Sequence, residues 1–249
     1  MNIYDCFMYN DEDLLLDLRL NHLSKFVKKF VIAEATYTHN GEKKNLNFDI
    51  NKFKKFKDKI IYLIVEDQPK NILQLKDDDS ESRKGEKLIL NGMARDYFQR
   101  ENLARGLEDA ESDDLVLISD LDEIPNMNVL NSAHVKNNIL IFEQKMFYYK
   151  LNLFYKDYTW LGTKAVKKKN FISPQWLRNI KSKKYPTWRF DTIFSKNKYR
   201  NIKFIDNPSS ISICLLNQSL LSLDNNVGNS TNRSGSEFSS KNSTLCTFL

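Results

Sequence analysis

The chain has 249 residues, of which 41% are hydrophobic and 12% aromatic, so its length and apolar content suit one α/β domain, with or without a tail. Its 38 basic and 32 acidic residues give a net charge of +6. Because the two signs alternate along the chain and form no basic stripe with interleaved aromatics, we expect an anionic ligand and no nucleic-acid partner.

Short apolar runs alternate with helical patterns through the first half of the chain. In chain order we predict a strand at Ile3–Met8, a helix at Asp13–Leu23, strands at 30–35 and 59–65, a charged loop at 76–87, a helix at 88–107 and a strand at 114–119. This alternation is typical of an α/β fold with a mostly parallel central sheet flanked by helices.

The second half continues the pattern and then changes in composition. We predict strands at 139–151 and 163–166, then a helix with Ser173 as N-cap and Pro174 in its first position. After residue 207 the chain becomes rich in Ser and Asn, and charges become rare. We therefore divide it into a domain at 1–207 and a low-complexity tail at 208–249, which we interpret as disordered or frameshifted.

The cysteines and the N-terminus indicate in which cellular compartment the protein is expected. Cys6, Cys214 and Cys246 have no metal-ligand spacing, and any disulfide leaves one thiol over, so a reducing compartment is the simpler interpretation. The N-terminus lacks the pattern of an export signal, and no run of about 18 apolar residues occurs. We expect a cytoplasmic protein without an integral membrane segment.

A cluster of carboxylates, Asp120-Leu121-Asp122-Glu123, directly follows the strand at 114–119. Ligands of open α/β sheets bind at the carboxyl ends of strands, so the cluster stands where a ligand would be. Hard divalent cations prefer such oxygen ligands, and Mg²⁺ or Mn²⁺ is commonly held by one or two carboxylates plus substrate phosphates. We predict a metal site at Asp120 and Asp122 that binds a diphosphate substrate.

An arginine interrupts an apolar stripe of the helix at 88–107. The stripe consists of Met93, Tyr97, Ala104 and Leu107, and Arg100 falls in its middle. A buried arginine needs an anionic partner. That partner is either an internal carboxylate, with the stem packed along the apolar stripe, or a bound ligand.

Polar residues also follow the strand at 30–35. They are Glu34, Thr36 and Lys44. A carboxylate at a strand end either binds a ribose hydroxyl or caps the next turn, and the sequence leaves both interpretations open. We predict that these three residues contribute to the nucleotide site.

Several segments together resemble glycosyltransferase family 17. They are residues 5–10 (Asp-Cys-Phe-Met-Tyr-Asn) with 14–23, then 30–36, 100–105 (Arg-Glu-Asn-Leu-Ala-Arg) and 119–125 (Ser-Asp-Leu-Asp-Glu-Ile-Pro). The last segment, in its strand context, is the most specific, and the similarity extends over about residues 2–207.

The resemblance implies a GT-A type nucleotide-diphospho-sugar transferase fold. It also implies a UDP-sugar donor, UDP-N-acetylglucosamine in particular, and an inverting transfer to a glycan acceptor. Asp120 would face the ribose or the metal, and Asp122 would ligate the metal. Inversion needs a general base near the acceptor hydroxyl, for which Glu143, Asp157 and Asp191 are unranked candidates.

The chain departs from the family pattern at two points. It lacks the membrane anchor of the Golgi members and therefore resembles the bacterial form. Residues 208–211 (Pro-Ser-Ser-Ile) stand where the family has a Gly-Trp-His-Phe-Ser-like segment. This second departure leaves an alternative function, that of a non-catalytic relative that binds a nucleotide sugar or glycan and was inactivated by loss of the C-terminal segment.

Overall fold

A computed structural model describes residues 1–136, 138–148, 153–186, 188–189, 192, 194–205 and 211–214. The strands of the described part are β1 (Ile3–Met8), β2 (Lys29–Ala35), β3 (Ile60–Val65), β4 (Leu115–Ile118), β5 (Glu123–Ile124), β6 (Ile139–Tyr148), β7 (Leu153–Lys167), β8 (Ile202–Ile205) and β9 (Ile211–Cys214). The α-helices are α1 (Asp13–Leu23), α2 (Glu81–Glu101), α3 (Ser132–Val135) and α4 (Pro174–Asn179). Short 3₁₀ segments lie at Ile50–Lys59, Asn102–Leu107, Met127–Val129 and Lys168–Asn170.

The strands of the described residues form one sheet, which is mostly parallel as predicted. Its order is β3-β2-β1-β4-β7-β6-β9-β5, and β8 also pairs with β6. The pairings among β3, β2, β1 and β4 are parallel, whereas β7 runs antiparallel to β4 and β6. Strand order reverses between β1 and β4, and the crevice beyond the carboxyl ends of those two strands is where ligands bind in such sheets.

Helices and apolar side chains cover both faces of the parallel strands. Neighbouring residues of β2 point to opposite faces, so Phe30 packs with Leu16 of α1, whereas Val31 packs with Leu103 and Leu107 of a 3₁₀ segment. All of these side chains are buried. The sheet is covered on both faces, which explains why its strands appear in the sequence as continuous apolar runs.

The structure confirms the first elements and corrects the long helix. The charged run at 76–87 was predicted to be a loop, but α2 begins at Glu81, and Ser80 caps it by accepting a bond from the Arg83 amide at 3.3 Å. Lys, Arg and Glu are good helix formers, so a solvated first turn needs no apolar residue. The helix also ends earlier than predicted, at Glu101.

The predicted apolar stripe is buried only in part, at Leu107 and at Arg100 in its middle. Tyr97 is 37% exposed, whereas the buried residues of α2 are Asn91, Arg95 and Arg100. The helix therefore turns a polar face inward, which indicates that it lines a polar cleft as well as covering the sheet.

The later elements are longer than predicted or differ in their ends. The strand expected at 163–166 is the end of β7, and the described part of the strand expected at 139–151 ends at Tyr148. Ser173 caps α4 as predicted by accepting a bond from the Trp176 amide at 3.2 Å.

The predicted boundary at residue 207 falls just before β9, which pairs with β6 and β5. Residues 206–210 and 215–249 lie outside the described part, so the division into domain and tail stays a prediction. Among the helices in the described ranges, none has the length and apolar composition that a membrane crossing requires.

Two glycines give a matched test of packing. An alanine Cβ at Gly106 would lie 2.3 Å from Cγ1 of the buried Val31, whereas one at Gly85, in α2, would meet no atom within 4 Å. We expect Gly106→Ala to lower the free energy of unfolding by about 1 to 3 kcal/mol through overpacking. Gly85→Ala should raise it by roughly 0.5 to 1 kcal/mol, because alanine is the better helix former. Urea unfolding followed by circular dichroism measures both, and equal stability of the two variants would contradict this description of the packing.

Candidate functional site

A buried ion pair lies under the loop that follows β4. Asp5 in β1 and Arg19 in α1 are both fully buried, and Arg19 donates through Nε to Asp5 Oδ2 at 2.8 Å and through Nη2 to Asp5 Oδ1 at 2.7 Å. This two-pronged geometry is the strongest form of arginine–carboxylate pairing. The pair joins the first strand to the first helix.

The same guanidinium fixes the backbone of the carboxylate loop. Arg19 Nη1 donates to the carbonyl oxygens of Asp120 at 3.0 Å, Leu121 at 3.1 Å and Glu123 at 2.9 Å. Its Nη2 also donates to Ser119 Oγ at 2.5 Å. With three carbonyls of one turn held by one cation, the loop has a defined conformation, and the side chains of Asp120 and Asp122 line a cleft.

A second arginine, Arg178 of α4, pairs with two of the loop carboxylates. It donates to Glu123 Oε2 at 2.7 Å and Oε1 at 2.9 Å, and to Asp120 Oδ2 at 2.5 Å. Glu123 also accepts from Trp160 Nε1 at 2.6 Å and from the Asp120 amide at 3.0 Å. Glu123 is buried and fully engaged, so its role in the site is to position its neighbours.

Arg100 reaches Asp120 from the other side. It donates through Nη2 to Asp120 Oδ1 at 3.3 Å, and through Nη1 to Asp96 Oδ2 at 2.9 Å and Gln175 Oε1 at 2.7 Å. Of the two partners that the sequence left open for Arg100, the structure shows the internal carboxylates. Arg100 also lines the cleft, so the geometry is compatible with a ligand contact as well.

The two aspartates of the loop have opposite electrostatic environments. Burial raises the pKa of Asp120, but Arg178 and Arg100 outweigh it and hold that pKa below its usual value. Burial and the charges of Glu123 and Asp120 raise the pKa of Asp122 well above its usual value. In the part of the chain that the structure describes, no side chain donates to Asp122 or forms an ion pair with it. The charge of Arg178 lowers the pKa of Asp122 only in part, so Asp122 is a cleft carboxylate without a directly paired cation among the described residues.

The cleft lies beyond the carboxyl ends of β1, β2 and β4, at the predicted position. Its described lining comes from seven parts of the chain, the last three being single residues of β6, β7 and β9. These are Met8, Tyr9, Asn10, Glu12 and Leu15; Tyr37, Thr38, His39 and Lys44; Arg95, Asp96, Gln99 and Arg100; Asp120, Leu121, Asp122 and Glu123; and Met146, Trp160 and Ser212.

The structure gives different positions and contacts to the three residues that were predicted to contribute to the nucleotide site after β2. Glu34 is fully buried and accepts from Lys44 Nζ at 2.7 Å, the Asn47 amide at 2.8 Å and Tyr62 Oη at 2.8 Å, so it organises the loop after β2. Lys44 lines the cleft. Thr36 donates to the Val65 carbonyl at 3.4 Å and lies outside the described cleft lining. Of the two interpretations of Glu34, this geometry favours turn stabilisation.

The candidate bases are not brought to the cleft within the described residues. Glu143 is half-buried on β6, and Asp157 is exposed on β7. Neither is part of the described lining. Asp191 lies outside the described residues. The choice of base stays a prediction.

Sequence reasoning identified Arg100 but missed Arg19 and Arg178, the other two arginines that organise the site. Asp5 and Arg19 each interrupt an apolar run, and pairing two such charges would have been a usable signal. Arg178 had no such signal, because its contacts with Asp120 and Glu123 span 58 and 55 residues. Trp160 lies in an aromatic run of β7 where no local pattern marks its bond to Glu123.

Comparison with known proteins decides the family. The sequence model of glycosyltransferase family 17 matches residues 1–173. The chain belongs to glycosyltransferase family 17. The match includes the carboxylate loop but ends before α4, so Arg178 of this family 17 glycosyltransferase comes from beyond the matched residues.

Other comparisons add less to the family assignment. No curated protein shows significant sequence similarity to this family 17 member. Among solved structures, 2-C-methyl-D-erythritol 4-phosphate cytidylyltransferase from Francisella tularensis is similar over 90% of this chain and 99% of its own, with 12% identity and a TM-score of 0.36. The α/β fold seen here, with its mostly parallel sheet, is consistent with the GT-A type.

Arg19→Met tests the ion pair beneath the loop of this glycosyltransferase. The substitution keeps most of the stem but leaves Asp5 buried without a cation, so we expect the free energy of unfolding to fall by about 3 to 5 kcal/mol. Lys52→Met breaks the exposed pair with Asp13 and should cost no more than about 1 kcal/mol. Urea unfolding compares the two, and a similarly small loss in both variants would show that the loop does not depend on Arg19.

A pH series tests the raised pKa of Asp122. The folded protein holds this proton more tightly than the unfolded chain, whose aspartate pKa is near 3.8. The metal-free parent should therefore lose stability relative to Asp122→Asn as the pH rises from 4 towards 7. Urea unfolding in EDTA measures the difference.

An aspartate outside the cleft supplies the control for this series. Lys167 and Lys169 lower the pKa of Asp113 to about 2, so its stabilising contribution is lost only as the pH falls below about 3.8. The difference in stability between the parent and Asp113→Asn should change little from pH 4 to 7. An equally small change for Asp122→Asn would contradict the assigned environment of Asp122.

Proposed function

We propose that this protein transfers a sugar from a UDP-sugar to a glycan acceptor, with inversion and with a divalent metal ion. The observation that carries the proposal is the unpaired carboxylate of Asp122 in the cleft, next to an Asp120 that two arginines already hold. A cation bound at Asp122 would offset the burial and the repulsion from Glu123 and Asp120 that raise its pKa.

The chemistry of the loop fits Mn²⁺ or Mg²⁺. Within the described ranges, no group of three or more His, Cys, Asp or Glu side chains is assembled to hold a metal on its own. An ion held by Asp122, with Asp120 beside it, would therefore take its other ligands from water and from the substrate. Mg²⁺ is usually bound in this way, through one or two carboxylates and substrate phosphates. When bound, the metal would neutralise charge on the diphosphate leaving group.

The rest of the cleft supports a nucleotide donor. Arg95 brings positive charge to its lining, because its guanidinium donates to neutral acceptors, the Gln68 side chain and the His39 carbonyl, and guanidinium groups are usual partners of phosphate oxygens. Lys44 and Arg100 also line the cleft, and each is paired with a carboxylate of the protein. Tyr9 and Tyr37 add aromatic surface that suits a base or a ribose. The choice of UDP-N-acetylglucosamine rests on the resemblance to the family.

The arginines around Asp120 have a positioning role in this proposal. Arg178 and Arg100 hold its carboxylate from two sides, so Asp120 is kept charged and oriented before any ligand arrives. Such preorganisation avoids reorientation during the reaction. The base that activates the acceptor hydroxyl remains to be chosen among Glu143, Asp157 and Asp191.

Asp122→Asn tests the proposal directly. Asparagine keeps the shape but removes the charge, so we expect UDP affinity to lose its dependence on Mn²⁺. Transfer, or hydrolysis of UDP-N-acetylglucosamine, should fall by at least about a hundredfold, which is the scale of losing one major electrostatic contact. Calorimetry with and without Mn²⁺ and a UDP-release assay measure the two effects.

Asp78→Asn is the matched control, because Asp78 is exposed and distant in sequence from the loop. It should leave both quantities unchanged. Mn²⁺-dependent UDP binding that is intact in Asp122→Asn would refute the metal assignment. UDP binding by the parent without any turnover would instead favour the non-catalytic alternative.

A further inference from the structure

A second cleft adjoins the first, between α2, β7 and α4. Arg100 and Trp160 line both clefts, so the two clefts are neighbours that share these side chains. The carboxylate loop lies in the first cleft only. The second cleft therefore lies next to the candidate active site but has a different chemical character.

Aromatic rings from two elements line this second cleft, Tyr97 of α2 and Tyr158 of β7. Tyr97 and Tyr158 are 37% and 36% exposed, although large aromatic side chains tend to be buried. The ring centroid of Tyr158 lies 6.0 Å from that of Tyr155 and 6.2 Å from that of Trp160. The partly exposed rings of Tyr97 and Tyr158 offer flat apolar faces that can pack against the C–H faces of pyranose rings.

The charges of the second cleft are compensated within the protein. Arg100 is paired with Asp96 and Asp120, and Arg178 with Asp120 and Glu123. The buried Lys164 amine donates to the carbonyls of Arg178 at 2.6 Å and Ile180 at 2.7 Å. Burial and the neighbouring Arg178 lower the pKa of Lys164 to about 7. A bound anion would thus find no unpaired permanent cation among the described lining residues.

Neutral polar groups remain free for a ligand. The side-chain oxygen Oδ1 of Asn179 accepts a hydrogen bond from Gln175 Nε2 at 2.9 Å. The side-chain nitrogen Nδ2 of Asn179 has no hydrogen-bond partner in the described part of the chain. The side chains of Ser182 and Thr159 also line the cleft. Aromatic faces with a few neutral hydrogen-bonding groups suit a polyhydroxylated, uncharged molecule.

We propose that this second cleft binds a neutral oligosaccharide acceptor, with one pyranose ring packed between Tyr97 and Tyr158 and its reactive end directed past Trp160 into the first cleft. This inference rests on the proposed function, because it assigns the acceptor to a site next to the donor.

Binding experiments with defined probes test the inference. Chitotetraose and a desialylated biantennary glycan are titrated into the protein by calorimetry, and UDP with Mn²⁺ is titrated into the same samples. Tyr158→Ala and Tyr97→Ala should each weaken oligosaccharide binding by about tenfold, the scale of one aromatic packing contact. Tyr158→Phe keeps the ring and should bind as the parent does. Phe194→Ala removes an exposed ring outside both clefts and should change nothing.

The outcomes separate this inference from the proposed function. A parent that binds UDP but neither oligosaccharide refutes the acceptor site and leaves the donor proposal intact. Unchanged oligosaccharide affinity in both alanine variants also refutes the site, as does a preference for a sulfated oligosaccharide over the neutral ones. Oligosaccharide binding that depends on the tyrosines, without any UDP binding, would support the site and refute the donor proposal.

Discussion

The geometry of the site depends on one buried cation, Arg19. A fully buried guanidinium is costly to desolvate, and the cost is offset here because Asp5 and the loop oxygens accept its hydrogen bonds. One side chain thus connects β1, α1 and the loop after β4. The position of the loop is set by a tertiary contact rather than by its own turn preferences, which explains how consecutive carboxylates can be held in one conformation.

A second constraint is the balance of charge around the loop. Asp120, Asp122 and Glu123 bring three carboxylates into four positions, and like charges at this spacing repel. Arg178 and Arg100 compensate Asp120 and Glu123 but leave Asp122 without a partner. Among the described residues of the loop, Asp122 is therefore the carboxylate without an ion-pair partner, and a cation attracted to the cleft has one preferred position.

The sequence predicted what short-range patterns control. Hydrophobic periodicity predicted the α/β class, the strand Ile3–Met8 and the helix Asp13–Leu23. The apolar run of β4 likewise predicted that Asp120 and Asp122 directly follow a strand. The contacts of Arg178 were not, because partners more than 50 residues apart leave no local pattern. The exposed start of α2 was missed for a related reason, since a solvated helical turn and a charged loop have the same composition.

The separation of Arg178 from its partners has a consequence for synthesis. Domains assemble as the chain emerges, N-terminal parts first. The Arg19–Asp5 pair spans only 14 residues, whereas Arg178 follows Glu123 by 55. A ribosome-bound chain that has exposed β4 but not yet α4 carries Asp120 and Glu123 without their later counter-ion. The loop of the nascent chain therefore has a more negative net charge around it than the loop of the finished protein. Synthesis of α4 adds the positive charge of Arg178 that pairs with Asp120 and Glu123.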